Sequence, residues 1–327
     1  MIGGPVTRAL LRAGHEVTVL SRGARPVPDG ASALVADRAD SAALTTALSG
    51  QTFDAIVDLL AYTAEDVHRL LSVPGLRARR VFMISTGQVY LVARECHPPF
   101  VEPDAEIPLM PEPAEGTRAH GNWVYGSGKR DAERALRERA AALGVAATVL
   151  RLPVVQGAGD SSRRLWAYLQ RLLDGGPILL PGGGGHPLRF VWAEDVARAL
   201  ATLVAQPPPP AFAYNVAQPD EPSLSGLLAS AAAVLGVEPR LVECSWERAE
   251  AAGLEPAFSP YSGPWCSRPD PSLATRDWGF AGTPSDAWLP QVVRAHLAEP
   301  APEPHDGYVH RDRERALAAA LAGERDR

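Results

Sequence analysis

The stretch "RVFMIST" (residues 80–86) joins four large apolar side chains to a polar Ser-Thr end. Short apolar runs of this kind, rich in β-branched residues, are typical of strands buried on both faces of a parallel sheet. Four similar runs occur in the first 152 residues: "EVTVL" (16–20), "ALVAD" (33–37), "FDAIVDLL" (53–60) and "AATVLRL" (146–152). The sequence therefore predicts five buried strands in this region.

Helical patterns lie between these strands. In "GPVTRALLRAGH" (4–15), Val6, Leu10 and Ala13 fall on one stripe, and Gly14 ends the pattern. Three more helical segments follow: "DSAALTTALSG" (40–50), "TAEDVHRLL" (63–71) and "GKRDAERALRERAAALG" (128–144). Regular alternation of strands and helices predicts an α/β fold with a doubly wound parallel sheet.

The order of elements changes beyond residue 155. Helices are predicted near 162–174 and at 193–205, and "AFAYNVA" (211–217) fits a last core strand. Residues 220–298 carry helical patterns broken by loops rich in proline and glycine, such as "PAFSPYSGPW". These features predict a smaller domain formed by the C-terminal part of the chain.

Composition excludes several classes of partner. The net charge of -6 and the pI near 5.8 argue against nucleic acid and anionic membranes as partners. The three cysteines lack metal-type spacing and are expected as free thiols, and the eight histidines form no metal-binding pair, so no metal site is expected. No apolar run approaches the ~18 residues of a membrane span, and no signal peptide is evident. We expect a cytoplasmic protein.

Lys129 is the only lysine in the 327 residues, and it stands four residues after Tyr125. Residues four apart on a helix share a face, so the two side chains are expected to meet. An ammonium is a compact point charge, whereas a guanidinium is a broad fork, so a tight site would accept lysine and refuse arginine. A lysine beneath Tyr125 would lower the pKa of the phenol. The alternative is that an arginine-biased composition left one lysine by chance.

The Ser-Thr end of "RVFMIST" falls at the carboxyl end of a predicted core strand, where ligands of open α/β sheets bind. A hydroxyl of Ser85 or Thr86 and the phenol of Tyr125 are therefore expected to face one pocket. The alternative for the Ser-Thr pair is simple turn chemistry. The Tyr-x-x-x-Lys pattern on a following helix favours the catalytic interpretation.

With these residues, the sequence resembles the extended short-chain dehydrogenase/reductase family, the NAD-dependent epimerase/dehydratase group. The resemblance is carried by "IGGPVTRALLRAGHEVTVLSRG", "FDAIVDLLAY", "ISTGQVY", "YGSGK", "LRLPVVQG", "FVWAEDVARAL" and "YNVAQP". It implies reversible hydride transfer between a nicotinamide cofactor and a hydroxyl or carbonyl of a small molecule, such as a nucleotide sugar. Tyr125 would move the hydroxyl proton, Thr86 would hold the carbonyl oxygen, and Lys129 would bind the ribose.

The same resemblance implies a Rossmann-like, NAD(P)-binding domain and a substrate domain. We assign the dinucleotide-binding domain to residues 1–155, with 186–217 returning to it. The substrate domain takes 156–185 and 218–300, and 301–327 form a C-terminal tail. The sequence does not decide whether the protein forms a homodimer.

The resemblance also implies a set of cofactor contacts along the carboxyl edge of the sheet. NAD users of the family carry an acidic residue after the second strand, whereas this chain has Ser21 and Arg22, and an arginine favours the 2′-phosphate of NADP. We expect NADP or NAD, with NADP favoured. The full set of implied cofactor residues is Gly3, Ser21, Arg22, Asp37, Leu59, Leu60, Ala61, Lys129, Pro153 and Val154.

The start of the chain departs from the family pattern. The family opens with a strand and a Gly-x-x-Gly-x-x-Gly loop that cradles the pyrophosphate, and Met1-Ile2-Gly3 matches only the end of that loop. Either Met1 lies downstream of the natural start, or the protein lacks the strand. We expect residues 1–327 alone to be marginally stable and to bind dinucleotide poorly.

Two further departures concern the reaction. Family dehydratases follow the catalytic Thr with an Asp-Glu pair, whereas this chain has Gly87 and Gln88, so dehydration is disfavoured. Nucleotide-sugar enzymes place a phosphate-binding arginine near "FVWAED", and Arg189 is shifted by one residue from that place. Gln88 and Arg189 are candidate substrate residues, and the substrate itself stays open.

Other functions remain open on sequence alone. One is a non-catalytic relative of the same fold, either a dinucleotide sensor or an RNA-binding protein. The Thr86, Tyr125 and Lys129 set argues against a sensor, and the acidic balance argues against RNA. Another is a truncated remnant that binds no cofactor.

Overall fold

The chain folds into parallel strands and helices that the computed structural model describes for residues 1–298 and 304–325. The strands are β1 (Thr18–Ser21), β2 (Ser32–Val35), β3 (Thr52–Asp58), β4 (Arg77–Thr86), β5 (Ala146–Leu152), β6 (Val154–Gln156), β7 (Ile178–Pro181), β8 (Phe190–Trp192), β9 (Ala213–Asn215) and β10 (Leu241–Cys244). The helices α1 to α6 are Gly3–Arg12, Ser41–Leu48, Ala64–Leu71, Gln88–Leu91, Arg118–Leu143 and Arg164–Leu173. The helices α7 to α12 are Ala193–Ala205, Leu224–Leu235, Trp246–Ala251, Ser272–Trp278, Ser285–Ala298 and Arg311–Arg325.

The largest sheet has the strand order β3-β4-β5-β9, and every pair in it is parallel. In its register Asp58 lies beside Met83, and Thr86 lies beside Leu152. The carboxyl ends of β3, β4 and β5 therefore reach the same edge of the sheet, which is the edge where ligands of such sheets bind.

A second parallel sheet consists of β1 and β2. Among the described residues, β1 and β3 do not pair with each other, so these two sheets are separate hydrogen-bonded units. The ladders β6-β8 and β7-β10 are parallel as well.

Helices cover both faces of the four-stranded sheet. On one face α1 and α7 pack in a core that includes Val6, Leu10 and Leu200. On the other face α3 and α5 pack in a core that includes Val67 and Leu136. This arrangement confirms the predicted α/β fold.

The C-terminal part of the chain has a core of its own around Tyr168, Tyr261 and Trp288, all fully buried. The described part of the predicted tail is mostly helix α12, which packs through Ala318 and Leu321 in a separate core with Leu179 and Phe258. Arg171 donates to both carboxylate oxygens of Glu314, which is 0% exposed. The predicted boundary between residues 300 and 301 lies outside the described residues.

The predicted strands and helices mostly match the observed ones, and α5 is the main exception. The prediction began this helix at residue 128, but it begins at Arg118 with Thr117 as its N-cap. It ends at Gly144, whose φ of 64° is the left-handed conformation that glycine adopts readily. Tyr125 and Lys129 therefore lie on two consecutive turns within one long helix. No helix in the described part of the chain is long and apolar enough to cross a membrane.

Candidate active site

Thr86 and Tyr125 come together at the carboxyl edge of the sheet. Thr86 is the last residue of β4, and its hydroxyl oxygen accepts a hydrogen bond from the Gln88 amide at 3.2 Å. Its hydroxyl is close enough to the Tyr125 phenol to lower the pKa of that group. Because the Gln88 amide uses the oxygen as acceptor, the Thr86 proton is available to a second partner.

The net shift of the Tyr125 pKa is upward. Burial of the phenol raises the pKa most and outweighs Thr86 and Arg164, which lower it, while Tyr62 raises it further. The prediction that the Tyr125 pKa would be lowered is therefore wrong in direction. The phenol is protonated at neutral pH, although 39% of the residue is exposed.

Lys129 is buried beneath the strand ends, with only 2% of it exposed. Its Nζ donates to the carbonyl oxygens of Ala61 at 2.6 Å and Ile84 at 2.9 Å. It also lies 4.7 Å from the centre of the Tyr62 ring. Burial lowers the Lys129 pKa to about 8, although Asp58 and Glu133 act in the opposite direction. Two of its three N–H groups are used by the carbonyls, which leaves one for a ligand.

Tyr62 is a site residue that the sequence analysis missed. Its ring centre lies 6.1 Å from that of Tyr125, and 47% of the residue is exposed. Its backbone carbonyl would lie 3.0 Å from a Cβ added to Gly128, so α5 approaches this loop closely. In the sequence, its position immediately after the strand-end residues Leu59, Leu60 and Ala61 could have indicated that Tyr62 belongs to the site.

A buried polar network holds α5 against the sheet beside this site. Glu133, one turn after Lys129, accepts from Ser85 Oγ at 2.5 Å and from Arg151 Nη2 at 2.6 Å. Arg151 also donates to the Tyr90 hydroxyl at 3.1 Å, and Tyr90 donates to Asn215 at 2.6 Å. The Glu133 carboxylate raises the pKa of Arg151, so the guanidinium is charged although only 2% of the residue is exposed. This network fixes α5 relative to β4, β5 and β9.

The residues predicted for the pyrophosphate and adenosine lie on the β1-β2 side of the site. Gly3 begins α1, which has no side-chain cap and no acidic residue in its first turn. The Ser21 hydroxyl accepts from the Gly23 amide at 3.3 Å, and Arg22 is exposed. Asp37 is exposed and accepts from the Ala39 amide at 2.9 Å. The amides at the start of α1 are thus available to an anion.

The strand-end loop after β3 is rigidly held. Asp58 forms a two-pronged ion pair with Arg38, at 2.5 and 3.0 Å, and accepts from the Leu60 amide at 2.9 Å. Leu59 would contact a Cβ added to Gly3 at 3.5 Å, so this loop adjoins the start of α1. Leu60 is 51% exposed and Ala61 is fully buried.

On the other side of Thr86, Pro153 and Val154 follow β5 directly and are buried. The Gly87 amide donates to the Leu152 carbonyl at 2.7 Å, which ties this turn to the end of β4. The predicted nicotinamide-contacting turn therefore adjoins the predicted catalytic Thr86.

The two candidate substrate residues differ in their surroundings. Gln88 is 7% exposed, and its Nε2 is buried without a hydrogen-bond partner among the described residues. Arg189 is engaged instead by Glu221 at 3.1 Å and by the Pro269 carbonyl at 3.0 Å. A phosphate at Arg189 would have to compete with these contacts, whereas the Gln88 amide nitrogen has no such competitor among the described residues.

A comparison with protein families decides the assignment. The model of the NAD dependent epimerase/dehydratase family matches residues 1–217 of the chain. The chain belongs to this family. Membership confirms the resemblance found in the sequence, and the doubly wound parallel sheet agrees with it.

Among curated proteins, the chain is 29% identical over 211 residues to the 2'-dehydrokanamycin reductase of Streptomyces kanamyceticus. The alignment covers 62% of this chain and 55% of the relative, so the chain spans little more than half the length of that relative.

Solved structures of the epimerase/dehydratase family share the fold at low sequence identity. The UDP-glucose 4-epimerase of Thermotoga maritima is 18% identical with a TM-score of 0.67, over 91% of this chain and 96% of the other. The dTDP-glucose 4,6-dehydratase of Streptomyces venezuelae, solved with NAD bound, is 19% identical with a TM-score of 0.65, over 91% of this chain and 94% of the other. Within the described residues, no group of three or more His, Cys, Asp or Glu residues is placed to hold a metal ion.

Proposed function

We propose that the protein is an NAD(P)-dependent oxidoreductase that reduces a carbonyl group on a sugar-like small molecule. One observation carries the proposal. The hydroxyls of Thr86 and Tyr125 meet at the carboxyl edge of the sheet, one helical turn from the buried ammonium of Lys129. Such an arrangement supplies a hydrogen-bond donor, an acid and a fixed cation at one place.

The residues of the site fit a nicotinamide dinucleotide. The uncapped start of α1 offers the amides of Gly3 and Gly4 to a pyrophosphate, and the remaining N–H of Lys129 offers a bond to a ribose hydroxyl. Exposed Arg22, at the end of β1, suits the 2′-phosphate of NADP, which we favour over NAD. When bound, the nicotinamide supplies the hydride.

The protonation state of Tyr125 suits the reduction step. Burial raises its pKa, so the free protein holds a phenol rather than a phenolate at neutral pH. A phenol can donate a proton to a carbonyl oxygen that receives a hydride, whereas oxidation of an alcohol needs a base. Thr86 would donate its hydroxyl proton, which faces Tyr125 in the free protein, to the same oxygen. We propose reduction rather than epimerisation because the curated relative is named a reductase.

Two amide side chains near Tyr125 suit a polyhydroxylated substrate. The amide nitrogens of Gln88 and Asn122 are buried and have no hydrogen-bond partner among the described residues. Gln88 packs against Gly126, since its Cγ would lie 3.1 Å from a Cβ added there, and Asn122 precedes Tyr125 by one turn. Buried donors without partners are costly, which points to hydroxyl acceptors on a ligand. The curated relative is named a reductase of 2'-dehydrokanamycin.

The proposal is tested by NADPH consumption with 2'-dehydrokanamycin, and in parallel by NAD⁺ reduction with UDP-glucose. Tyr125→Phe should lower the rate roughly 10²-fold or more, because it removes the proton donor and keeps the ring. Tyr308→Phe is the matched control, since Tyr308 lies in the C-terminal part and bonds Asp174. A Tyr125→Phe rate above one tenth of the unmutated rate contradicts the role of Tyr125, whereas no turnover of either substrate by the unmutated protein favours the sensor alternative.

A further inference from the structure

The ring of Tyr62 faces the buried ammonium of Lys129. The Lys129 Nζ lies 4.7 Å from the ring centre, within the roughly 6 Å over which an aromatic face attracts a cation. Tyr62 is 47% exposed, whereas Lys129 is 2% exposed. The attraction acts on the charge as a whole and needs no acceptor atom, so it leaves the third N–H of the ammonium for a ligand.

The backbone of Tyr62 is fixed on both sides. Its amide donates to Asp66 Oδ2 at 2.9 Å, and the same carboxylate completes the capping box that begins α3. Its carbonyl oxygen would lie 3.0 Å from a Cβ added to Gly128, the residue before Lys129. Gly128 lies inside α5, where glycine is unfavourable, and the close approach of this loop explains the glycine. The two contacts hold the Tyr62 ring at the turn of α5 that carries Lys129.

Charged side chains surround Lys129 without forming an ion pair with it. Asp58 at the end of β3, Asp66 of α3 and Glu133 of α5 favour the charged ammonium, and Arg38 disfavours it. The Asp58 carboxylate is engaged by Arg38, and Glu133 belongs to the buried network described above. No carboxylate in the described part of the chain forms an ion pair with the Lys129 Nζ. The ammonium is therefore oriented by the two carbonyls and the ring.

We propose that Tyr62 is a positioning residue whose ring holds the Lys129 ammonium against the carbonyls of Ala61 and Ile84, with its third N–H directed to the ribose of the cofactor. The effect on cofactor binding rests on the proposed function. The contact between the ring and the ammonium exists in the free protein and can be tested there by itself.

The sign of a change in the Lys129 pKa distinguishes two roles of the ring. If the ring attracts the cation, its removal lowers the pKa, because the charged form loses a stabilising partner. If the ring only excludes water, its removal raises the pKa, because hydration favours the charged form.

Because Lys129 is the only lysine, its pKa can be measured directly. In the full chain labelled with isotope-enriched lysine, NMR titration follows one lysine side-chain signal, and burial places its pKa at about 8. Tyr62→Leu and Tyr62→Met remove the ring and should lower this pKa by roughly half a unit to one unit. Tyr62→Phe keeps the ring and should leave it nearly unchanged. The control Val124→Ala, at a position 49% exposed on the same helix, should do the same.

Calorimetric titration with NADP⁺ measures the effect on the cofactor. Tyr62→Leu should weaken binding roughly threefold to tenfold, whereas Tyr62→Phe should bind as the unmutated protein does.

The outcomes separate this inference from the proposed function. A Lys129 pKa that stays the same or rises in Tyr62→Leu and Tyr62→Met overturns the inference, as does an equal decrease in Tyr62→Phe. Unchanged NADP⁺ affinity in Tyr62→Leu overturns the positioning role, and no NADP⁺ binding by the unmutated protein overturns both proposals. If both readouts change as expected but neither 2'-dehydrokanamycin nor UDP-glucose is turned over, the proposed function fails and the role of Tyr62 stands.

Discussion

Replacement of Lys129 by arginine tests whether this site requires a compact cation. The Lys129 ammonium fits between the carbonyls of Ala61 and Ile84 and the ring of Tyr62. A guanidinium is broader and carries five N–H groups, of which the two carbonyls can satisfy two. The variant therefore both overpacks the site and leaves donors buried without partners.

The expected cost follows from these two effects. Overpacking a well-packed site costs about 1–3 kcal/mol, and an unsatisfied buried donor costs about 1–3 kcal/mol. Together they should lower the free energy of unfolding by about 2–6 kcal/mol and the melting temperature by roughly 3–9 °C. Helix propensity alone predicts only a few tenths of a kcal/mol, so burial decides the magnitude.

Urea unfolding and NADPH turnover of Lys129→Arg give the two readouts. Lys129→Met keeps the length of the side chain without its charge and should be more stable than Lys129→Arg, though equally inactive. Arg134→Lys, on the exposed face of the same helix, should change stability by less than about 0.5 kcal/mol. A Lys129→Arg protein with unchanged unfolding and retained turnover would refute the reasoning.

Three further predictions follow from the same geometry. Glu133→Gln should lower the free energy of unfolding by about 3 kcal/mol, because it leaves buried Arg151 without its counter-ion. The control Glu138→Gln, on the exposed face of the same helix, should have almost no effect. Equal urea midpoints for these two variants would contradict the prediction. Because the Lys129 pKa falls from 10.5 to about 8 on folding, the unfolded chain binds the extra proton between these values and stability rises with pH. The free energy of unfolding should increase by about 2 kcal/mol from pH 7 to 9.5, and this increase should be absent in Lys129→Met. If urea unfolding gives the unmutated protein and Lys129→Met the same dependence on pH, the prediction is wrong. Arg22→Asp should reverse a preference for NADPH over NADH by roughly 10–100-fold in calorimetric titration, whereas an unmutated protein that prefers NADH would rule out the role of Arg22.

The fold was largely predictable because its signals are local. The run at 146–152 coincides with β5 (Ala146–Leu152), and the helix predicted at 193–205 coincides with α7 (Ala193–Ala205). Apolar periodicity within one element specifies these boundaries. The start of α5 was missed because residues 118–127 contain two glycines and several aromatic and β-branched residues, all of low helix propensity.

The site was predictable in position but not in electrostatics. Tyr125 lies beside the Thr86 hydroxyl, whereas Lys129 is bonded to the carbonyls of Ala61 and Ile84 rather than to Tyr125. The shifts of their pKa values depend on burial and on the carbonyls of Ala61 and Ile84, which sequence spacing does not reveal. Contacts between segments that are distant in sequence could not be predicted for the same reason.

The side chain of Ser267 occupies the space that a side chain at position 87 would fill, and this limits how the protein can evolve. Any side chain gained at position 87 collides with Ser267, so a substitution there is harmful unless residue 267 has already become smaller. The reverse order is open, because Ser267→Gly leaves only a small space. The two positions are 180 residues apart yet should change together in a fixed order. Acquisition of a dehydratase-like carboxylate at position 87 would therefore begin with a substitution in the C-terminal segment.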